Sequence, residues 1–597
     1  MGGYTGKVLR INLTTGKTST EPLNMELARK YLSGRGLAGK MFADEVASDV
    51  DALAPENKLF IATGVLTGTN APTPARYMVV TKSPLNGVIA SSNSGGYWGA
   101  QLKFAGYDMV VLEGKSDHPV YISIKDDLVE IKDAAKVWGK DVYETTDALM
   151  QELGDDKAKV LAIGPAGENL SLMAAIINDL YRAAGRTGVG AVMGSKNVKA
   201  IVVRGTGKVD NANPDHMKEV VANVLKKIRE NGVTGQGLPT YGSAVLVNII
   251  NENGIYPVNN FQGSYDLEAD QISGETMTEK YLIKKHPCYR CPIGCGRYNK
   301  WNGKEGAGPE YETAWVFGSD CGIHDYDAIH EANDLCNKLG LDTISVGATI
   351  AAGMELVQRG YIKPEELNGT PLEFGNAQGM VEWVRKIAYG EGLGAKMALG
   401  SYRFADSYGA PELSMSVKKQ ELPAYDPRGV QGQALSFATS NRGGCHVRGY
   451  MISPEILGLP EKLDRNSIEG KATWTKIFQD LTAVIDSVGL CLFSSFALGL
   501  TDYTALVNAV TGFNYTDEEL LACGERIWNL ERLHNFRVGY TAADDTLPKR
   551  LLNDPISDGP SKGQMHNLPE LLTQYYAERG WDEAGVPTPE RLNILGM

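Results

Sequence analysis

Three cysteines in a short loop constrain this chain more than any other feature. Cys288, Cys291 and Cys295 follow the spacing C-x2-C-x3-C, with prolines and glycines between and around them. Thiolates this close together repel one another unless they are protonated, bridged or bound to metal, and turn residues are typical of ligand loops. Because a [4Fe–4S] cluster usually takes four thiolates, the pattern predicts an iron–sulfur site whose fourth ligand comes from elsewhere in the chain.

Zinc and a disulfide are the alternatives for this loop. Structural zinc usually takes two C-x2-C pairs, or one such pair with two histidines. The sequence has no second C-x2-C, and His286 precedes the loop instead of following it. A disulfide needs an oxidising compartment, whereas the other cysteines are scattered, as in a reduced cytosol; they are Cys321, Cys336, Cys445, Cys491 and Cys523. The spacing therefore favours the cluster over zinc.

The composition argues against two classes of partner. The chain has 597 residues and a formal net charge of −13, which opposes binding to nucleic acid through its phosphates. No apolar run is long enough to span a bilayer, and the first residues lack the basic and apolar regions of a signal peptide. We therefore expect a cytoplasmic protein with neither a membrane nor a nucleic-acid partner.

Hydrophobic periodicity changes along the chain. Short runs rich in Val, Ile and Leu predict strands in the first third, at 7–13, 58–63, 77–82, 109–113, 120–125, 159–163 and 199–203. A small, polar linker follows at 205–214, and helical spacing then predominates, at 214–230, 325–339, 346–359, 379–389, 473–487 and 517–536. The pattern predicts an α+β fold with a β-rich domain at 1–208 and two mainly helical domains at 209–410 and 411–597.

Two predicted helices end in the same short pattern, [N/D]-x-x-G-L-[D/C]. The pattern occurs at 337–342 and again at 486–491. A glycine in the left-handed conformation closes a helix, and a polar side chain stands one turn earlier. One interpretation is two unrelated helix caps; the other is two equivalent half-sites for two copies of one ligand. Cys491 ends the second copy and is a candidate for the missing cluster ligand.

Glycine-rich segments and isolated charged residues supply further candidates. The segment 90–99 could bind an anion through its backbone N–H groups, or be a plain surface turn. Arg182 and Arg186 lie among glycines, a pattern that suits a phosphate clamp or close packing equally well. Glu312 and His446 are candidates for acid–base work, although a lone histidine is more often structural.

Taken together and in their order along the chain, the motifs resemble those of the tungsten-containing aldehyde:ferredoxin oxidoreductases from end to end. The resemblance implies two pyranopterins that hold one tungsten, with the β-rich domain as a base beneath them and no protein thiolate on the metal. It implies that the pterin phosphates and a bridging Mg²⁺ are lined by Arg76, Asn93, Gly95, Arg182, Ala183, Gly185 and Arg186. It implies pterin contacts from Asn337, Leu341 and Asp342, from Asp486 and Leu490, and from Arg448, which replaces a lysine of the family.

The resemblance also implies a reaction. Glu312 would manage a proton and His446 would hydrogen-bond the carbonyl oxygen while an aldehyde becomes a carboxylic acid. Electrons would leave through a [4Fe–4S] cluster, held by Cys288, Cys291, Cys295 and Cys491, to a ferredoxin-like acceptor or an iron–sulfur subunit. A homo-oligomer or a larger complex is compatible with the sequence, which does not distinguish tungsten from molybdenum.

The sequence leaves two other functions open. A dearomatising aryl-CoA reductase of the same superfamily would share the metal group and the cluster but bind a CoA thioester. An electron-transfer subunit would have a cluster without a catalytic metal. The paired helix ends and the arginine-rich segments argue against the second alternative, because a cluster alone needs neither.

Overall fold

The computed structural model describes residues 2–597. Its first part contains two six-stranded sheets. The strands of the first sheet are β1 (Lys7–Asn12), β2 (Lys17–Pro22), β3 (Leu59–Thr63), β4 (Tyr77–Lys82), β5 (Ile89–Ser94) and β6 (Met109–Glu113). Those of the second are β7 (Val120–Lys125), β8 (Leu128–Asp133), β9 (Lys159–Ala162), β10 (Ile176–Asn178), β11 (Arg182–Ala184) and β12 (Val198–Arg204).

The two sheets share one topology. Their strand orders are β2-β1-β6-β3-β4-β5 and β8-β7-β12-β9-β10-β11. Each starts with an antiparallel hairpin whose first strand also pairs in parallel with the last strand of the sheet. The other pairings are antiparallel in both. The first part of the chain therefore repeats one architecture, and we call its two six-stranded sheets the platforms.

The remainder is mainly helical, with two small antiparallel sheets. Strands β13 (Leu282–Lys285), β14 (Arg297–Trp301) and β15 (Lys304–Ala307) flank the cysteine loop, and β16 (Ser416–Val417) pairs with β17 (Gln420–Glu421). The helices are α1 (Met25–Tyr31), α2 (Gly34–Glu45), α3 (Trp98–Phe104), α4 (Val142–Leu153), α5 (Pro165–Glu168), α6 (Val189–Ser195), α7 (Pro214–Glu230), α8 (Leu238–Tyr241), α9 (Leu246–Glu252), α10 (Gly274–Lys280), α11 (Tyr311–Phe317), α12 (Tyr326–Leu339), α13 (Thr343–Gln358), α14 (Ala377–Tyr389), α15 (Leu393–Met397), α16 (Ser401–Asp406), α17 (Gln431–Thr439), α18 (Lys471–Val488), α19 (Leu500–Thr511), α20 (Asp517–Arg537), α21 (Lys549–Asn553), α22 (Leu568–Arg579) and α23 (Pro589–Leu595).

The predicted fold class is confirmed: a β-rich N-terminal part precedes helical domains. All seven predicted strands and all six predicted helices are present, with bounds shifted by three residues at most. In α7, Asn213 accepts the cap hydrogen bond from the His216 N–H, and Pro214 takes the first helical position. The domain limits at 208 and 410 stay predictions.

Five strands of the two sheets were missed, and two of them lie in segments predicted as glycine-rich loops. Strand β5 has the sequence IASSNS, and β11 is only three residues long. Small polar residues have low strand propensity, and here the pairing with β4 and β10 outweighs it. The glycines that suggested a loop come after β5 and after β11.

Each platform receives one of the two repeated helix ends. Helix α12 is closed by Gly340 at φ 73°, and α18 by Gly489 at φ 84°. A Cβ on Gly164, which follows β9, would lie 2.3 Å from the backbone of Leu339. A Cβ on Gly64, which follows β3, would lie 2.2 Å from the backbone of Gly489. These close approaches fix both helix ends directly on the sheets.

No helix within residues 2–597 combines the length and the apolar character that crossing a membrane requires.

Candidate active site

A cavity of about 330 Å³ lies where the platforms meet the helical part. Twelve of the nineteen residues predicted for the site line it, which brings together segments from the whole length of the chain. They are Arg76, Gly95, Arg182, Ala183, Gly185, Cys288, Cys295, Glu312, Asn337, Leu341, Asp342 and His446. The other seven, Asn93, Arg186, Cys291, Arg448, Asp486, Leu490 and Cys491, lie outside this lining.

Three of the four predicted cluster thiols lie near one buried guanidinium, that of Arg76. Arg76 places Nη2 3.1 Å from the Cys491 Sγ. A Cβ on Gly95 would lie 2.9 Å from the Cys288 Sγ and 3.4 Å from the Arg76 Cζ, so both sulfurs neighbour Arg76. Burial alone would lower the pKa of Arg76, but Cys491, Cys288 and Cys295 outweigh it and raise this pKa. Cys491, 196 positions beyond Cys295, therefore belongs to the same group.

The thiols are held in a way that suits metal ligation better than free titration. Burial, followed by the charge of Cys491, raises the pKa of Cys291 to about 11. Burial and the nearby Glu310 raise the pKa of Cys295. Thiols collected in one place, two of them costly to ionise alone, suit a site where a metal group supplies positive charge.

Among residues 2–597, no three His, Cys, Asp or Glu side chains converge closely enough to hold one metal ion. A zinc site needs such a convergence. A [4Fe–4S] cluster does not, because each thiolate binds a different iron atom.

The first half-site is the region around Asp342, at the end of α12. Asp342 caps α13 through the N–H groups of Ile344 and Ser345. The Arg186 Nε lies 3.2 Å from the Asp342 Oδ2, and its other nitrogens donate to the carbonyls of Glu421 and Gly444. Arg186 thus stiffens the wall behind the cavity, whereas Asn337, Leu341 and Asp342 face it.

The second half-site is the region around Asp486, at the end of α18. Arg448 forms an ion pair with Asp486 and donates to the Ser91 carbonyl, and the Asn93 amide donates to Asp486 over 3.2 Å. Burial and the neighbouring Arg35 lower the pKa of Arg448 to about 10. Its Nε is buried without a partner among the described atoms. Charged groups are therefore concentrated here as well.

One residue of the second half-site was missed by sequence reasoning. Arg35 lies 3.3 Å from Asp486 and forms a two-pronged ion pair with Glu531, all in the interior. A buried guanidinium can anchor an anionic side chain from beneath. The flanking glycines Gly34 and Gly36 were the only local signal; the Cβ of any other residue at 36 would meet the Tyr31 carbonyl at 2.1 Å.

Glu312 and His446 form a buried pair at the inner wall of the cavity. The Glu312 Oε2 accepts the Ala424 N–H at 2.8 Å, whereas Oε1 has no hydrogen-bond partner. Burial raises the pKa of Glu312 to about 8. Burial, and then Arg186 and Arg442, lower the pKa of His446 to about 3. At neutral pH the pair is therefore a protonated carboxyl and a neutral imidazole, even though the Glu312 Oε1 and the His446 Nε2 are only 3.6 Å apart.

Aromatic rings enclose the pair. The hydroxyls of Tyr425 and Tyr450 are 2.9 Å apart. The ring centres of Tyr425 and His446 are 5.9 Å apart. Phe496 packs edge-on against the ring of Tyr450. These residues come from distant segments, so only the fold could reveal the apolar wall.

The chain belongs to the aldehyde ferredoxin oxidoreductase family. Residues 8–205 match the family profile described as "Aldehyde ferredoxin oxidoreductase, N-terminal domain", and residues 219–597 match "Aldehyde ferredoxin oxidoreductase, domains 2 & 3". Within the family it is similar to the tungsten-containing aldehyde ferredoxin oxidoreductase of Pyrococcus furiosus, with 55% identity over 100% of this chain and 99% of the relative. The corresponding protein of Thermococcus kodakarensis is 53% identical with the same coverage. The predicted resemblance is confirmed.

A solved structure has the same fold. It is the active site complex BamBC of benzoyl coenzyme A reductase with 1,5-dienoyl-CoA, at a TM-score of 0.86 and 26% identity. The match covers 100% of this chain and 97% of the solved chain.

Proposed function

We propose that this chain oxidises aldehydes to carboxylic acids and passes the electrons to a ferredoxin-type acceptor. The balanced half-reaction converts RCHO and H₂O into RCOOH, two protons and two electrons. The observation that carries the proposal is the pair Glu312–His446, a buried acid–base couple placed in the cavity that also reaches Cys288 and Cys295. Membership of an oxidoreductase family supports it.

The thiol group fits a [4Fe–4S] cluster. Cys288, Cys291, Cys295 and Cys491 would be its ligands, in the number that such a cluster takes. The Arg76 guanidinium, within 3.1 Å of the Cys491 Sγ, would donate a charge-assisted hydrogen bond to a ligand sulfur. Hydrogen bonds to the sulfurs raise the reduction potential of such clusters.

The two half-sites fit a pair of pterin-type ligands. Each offers a helix end closed by a left-handed glycine and an aspartate, and the unpaired Arg448 Nε is a buried donor that a ligand could satisfy. Arg76 and Arg182 stand near Gly95 and Gly185, where the backbone can approach phosphate. Asn93 and the backbone carbonyl of Ala183 offer oxygen atoms of the kind that Mg²⁺ prefers.

A tungsten–pterin group bound there would supply the two-electron oxidation. In the smaller fraction that is ionised at neutral pH, Glu312 would take the proton, and it would release it afterwards. Its free Oε1 faces the space toward the His446 Nε2, and that gap of 3.6 Å is too long for a direct hydrogen bond. A substrate oxygen or a water between the two side chains would satisfy both. A carboxyl pKa near 8 suits proton transfer at neutral pH.

His446 would hold the aldehyde. With a pKa of about 3 its imidazole is neutral, so one nitrogen donates and the other accepts. An N–H directed at the carbonyl oxygen orients the substrate and stabilises negative charge that develops on it. Tyr425, Tyr450 and Phe496 exclude water and favour an apolar group on the aldehyde.

The test is aldehyde-dependent reduction of a viologen dye by the anaerobically purified protein. We expect benzaldehyde and other apolar aldehydes to support turnover and benzoyl-CoA to support none. If none of the tested aldehydes supports reduction of the dye, the proposal is contradicted.

A second candidate is the catalytic subunit of an aryl-CoA reductase, which the fold match to the benzoyl coenzyme A reductase complex favours. Oxidation of a dienoyl-CoA without oxidation of aldehydes would establish this alternative. Iron without tungsten or molybdenum would point to an electron-transfer subunit.

We further propose a cytoplasmic location, supported by eight cysteines that are all free thiols.

A further inference from the structure

A groove on the outer surface also reaches the cysteine loop. It has a volume of about 420 Å³ and is lined by Cys288, Cys291 and the flanking Pro287 and Pro292. Its other wall consists of Pro72, Tyr97, Val221 and Leu225. Cys288 therefore lines both the interior cavity and this groove, so the predicted cluster loop lies next to both spaces.

One cation lines the groove of this acidic protein, and two more lie on the segments beside it. Arg290, between two of the cysteines, lines it and is exposed. Lys285 is exposed, and its Cδ lies 3.9 Å from where a Cβ on Gly294 of the same loop would be. Arg229 is exposed on α7 one turn beyond Leu225.

These three cations differ from several basic residues nearby, although Lys284 is also exposed and in no ion pair. Arg182, Lys227 and Lys300 are paired with Glu310, Asp502 and Glu305 at 3.6, 2.7 and 3.8 Å. Within the described chain Arg229, Lys285 and Arg290 take part in no ion pair. Unpaired cations clustered around thiols are notable where the whole chain carries a net charge of −13.

Arg290 is also held in a costly conformation. Its φ of 47° lies in the left-handed region, in the turn that the Cys291 N–H closes on the Cys288 carbonyl at 3.1 Å. Glycine adopts that conformation freely, whereas an arginine there is strained. The turn fixes Arg290 between Cys288 and Cys291 and leaves its side chain exposed.

We infer that this groove, with Arg229, Lys285 and Arg290 at its rim, is the docking surface for a small acidic iron–sulfur protein of the ferredoxin type. The inference rests on the proposed function, because it takes the four thiols as the exit of the electron path. The apolar walls supply contact area next to Cys288 and Cys291. The rim cations attract an acidic partner and repel basic ones.

The test compares two acceptors with one enzyme. Wild type and the double variant Lys285→Glu/Arg290→Glu are assayed with an aldehyde, using an acidic [4Fe–4S] ferredoxin or benzyl viologen as acceptor. We expect the KM for ferredoxin to rise about tenfold or more, since rim charges act mainly on association. The KM and kcat with viologen should stay within about twofold, because a small dye needs no docking surface.

Controls separate docking from damage. Lys136→Glu reverses another exposed cation, which follows β8 at the far edge of the second sheet from β11, and should leave both acceptors unaffected. Iron content equal to wild type in the double variant shows that the loop keeps its metal. Raising ionic strength should weaken ferredoxin turnover in wild type and much less in the double variant.

Two results would overturn the inference: an unchanged KM for ferredoxin in the double variant with iron retained, or an equal effect of Lys136→Glu. Direct titration of the protein with oxidised ferredoxin tests docking without turnover. If wild type oxidises no aldehyde yet binds ferredoxin in a charge-dependent manner, the proposed function fails and the docking surface stands.

Discussion

Replacing Glu312 by Gln separates the catalytic role of this carboxyl from its cost to stability. The substitution keeps the size of the side chain and an oxygen that can accept the Ala424 N–H. It removes the group that we propose takes the proton. Turnover with aldehyde should therefore fall by about 10²- to 10⁴-fold, with iron and tungsten contents unchanged. The neighbouring variant Glu310→Gln is the matched control, because Glu310 is about half exposed at the cavity mouth, and it should keep most of the activity.

The same substitution should make the metal-free chain more stable at high pH. The pKa of Glu312 is about 8 in the folded chain against an ordinary 4.5, since burial opposes its charge. A raised carboxyl pKa gives a contribution that is fully present below 4.5 and is lost as pH rises through 8. This difference corresponds to about 5 kcal/mol at most. For 597 residues that unfold together, about 5 kcal/mol is about 4 °C in Tm.

Thermal unfolding of the metal-free wild type and of Glu312→Gln at pH 5.5 and pH 9 measures this effect. Other groups titrate in both proteins, so the quantity to compare is the difference between the two Tm shifts. Part of the contribution is already lost at pH 5.5, so we expect wild type to lose about 3 °C more than the variant on going from pH 5.5 to pH 9. Equal losses would refute the burial argument, and normal turnover of the variant would refute the catalytic role.

Three further substitutions test other parts of the account. His446→Gln should lower kcat about 100-fold. The change in activity near pH 8 that we assign to Glu312 should stay in place, because His446 is neutral above about pH 4. A shift of that change in the pH–rate profile would assign it to the histidine instead. Cys491→Ser should lower the iron content below about four atoms per chain, measured by elemental analysis, and unchanged iron and cluster spectra would remove Cys491 from the ligand set. Gly164→Ala should cost about 2–3 kcal/mol in denaturant unfolding, because its Cβ would lie 2.3 Å from Leu339; Gly232→Ala, with no atom within 4 Å, is the control and should be neutral or slightly stabilising.

Local patterns were enough for much of the fold. The spacing of Val, Ile and Leu located β1, β3, β4, β6, β7, β9 and β12, because these strands are buried and bounded by turn residues. The exposed β2, with the sequence KTSTEP, has no apolar alternation and depends on its pairing with β1. Nothing local could indicate that strand, or that the two sheets share one topology.

The site residues could likewise be predicted from the sequence only in part. A loop motif and a repeated helix end pointed to Cys288 and Cys491 separately, and only the fold brings both to Arg76. Arg35 and Tyr450 escaped detection because their roles come from tertiary partners, Asp486 and Tyr425. Long-range contacts between single residues leave no periodic signal in the sequence.

The central claim is that one chain holds an iron–sulfur cluster and a pterin-bound heavy metal in adjoining sites. Quantitative metal analysis of the anaerobically purified protein tests it most directly. We expect about four iron atoms and about one tungsten or molybdenum atom per chain, with the heavy metal released together with pterin on denaturation. Iron without either heavy metal, or zinc in the place of iron, would contradict it.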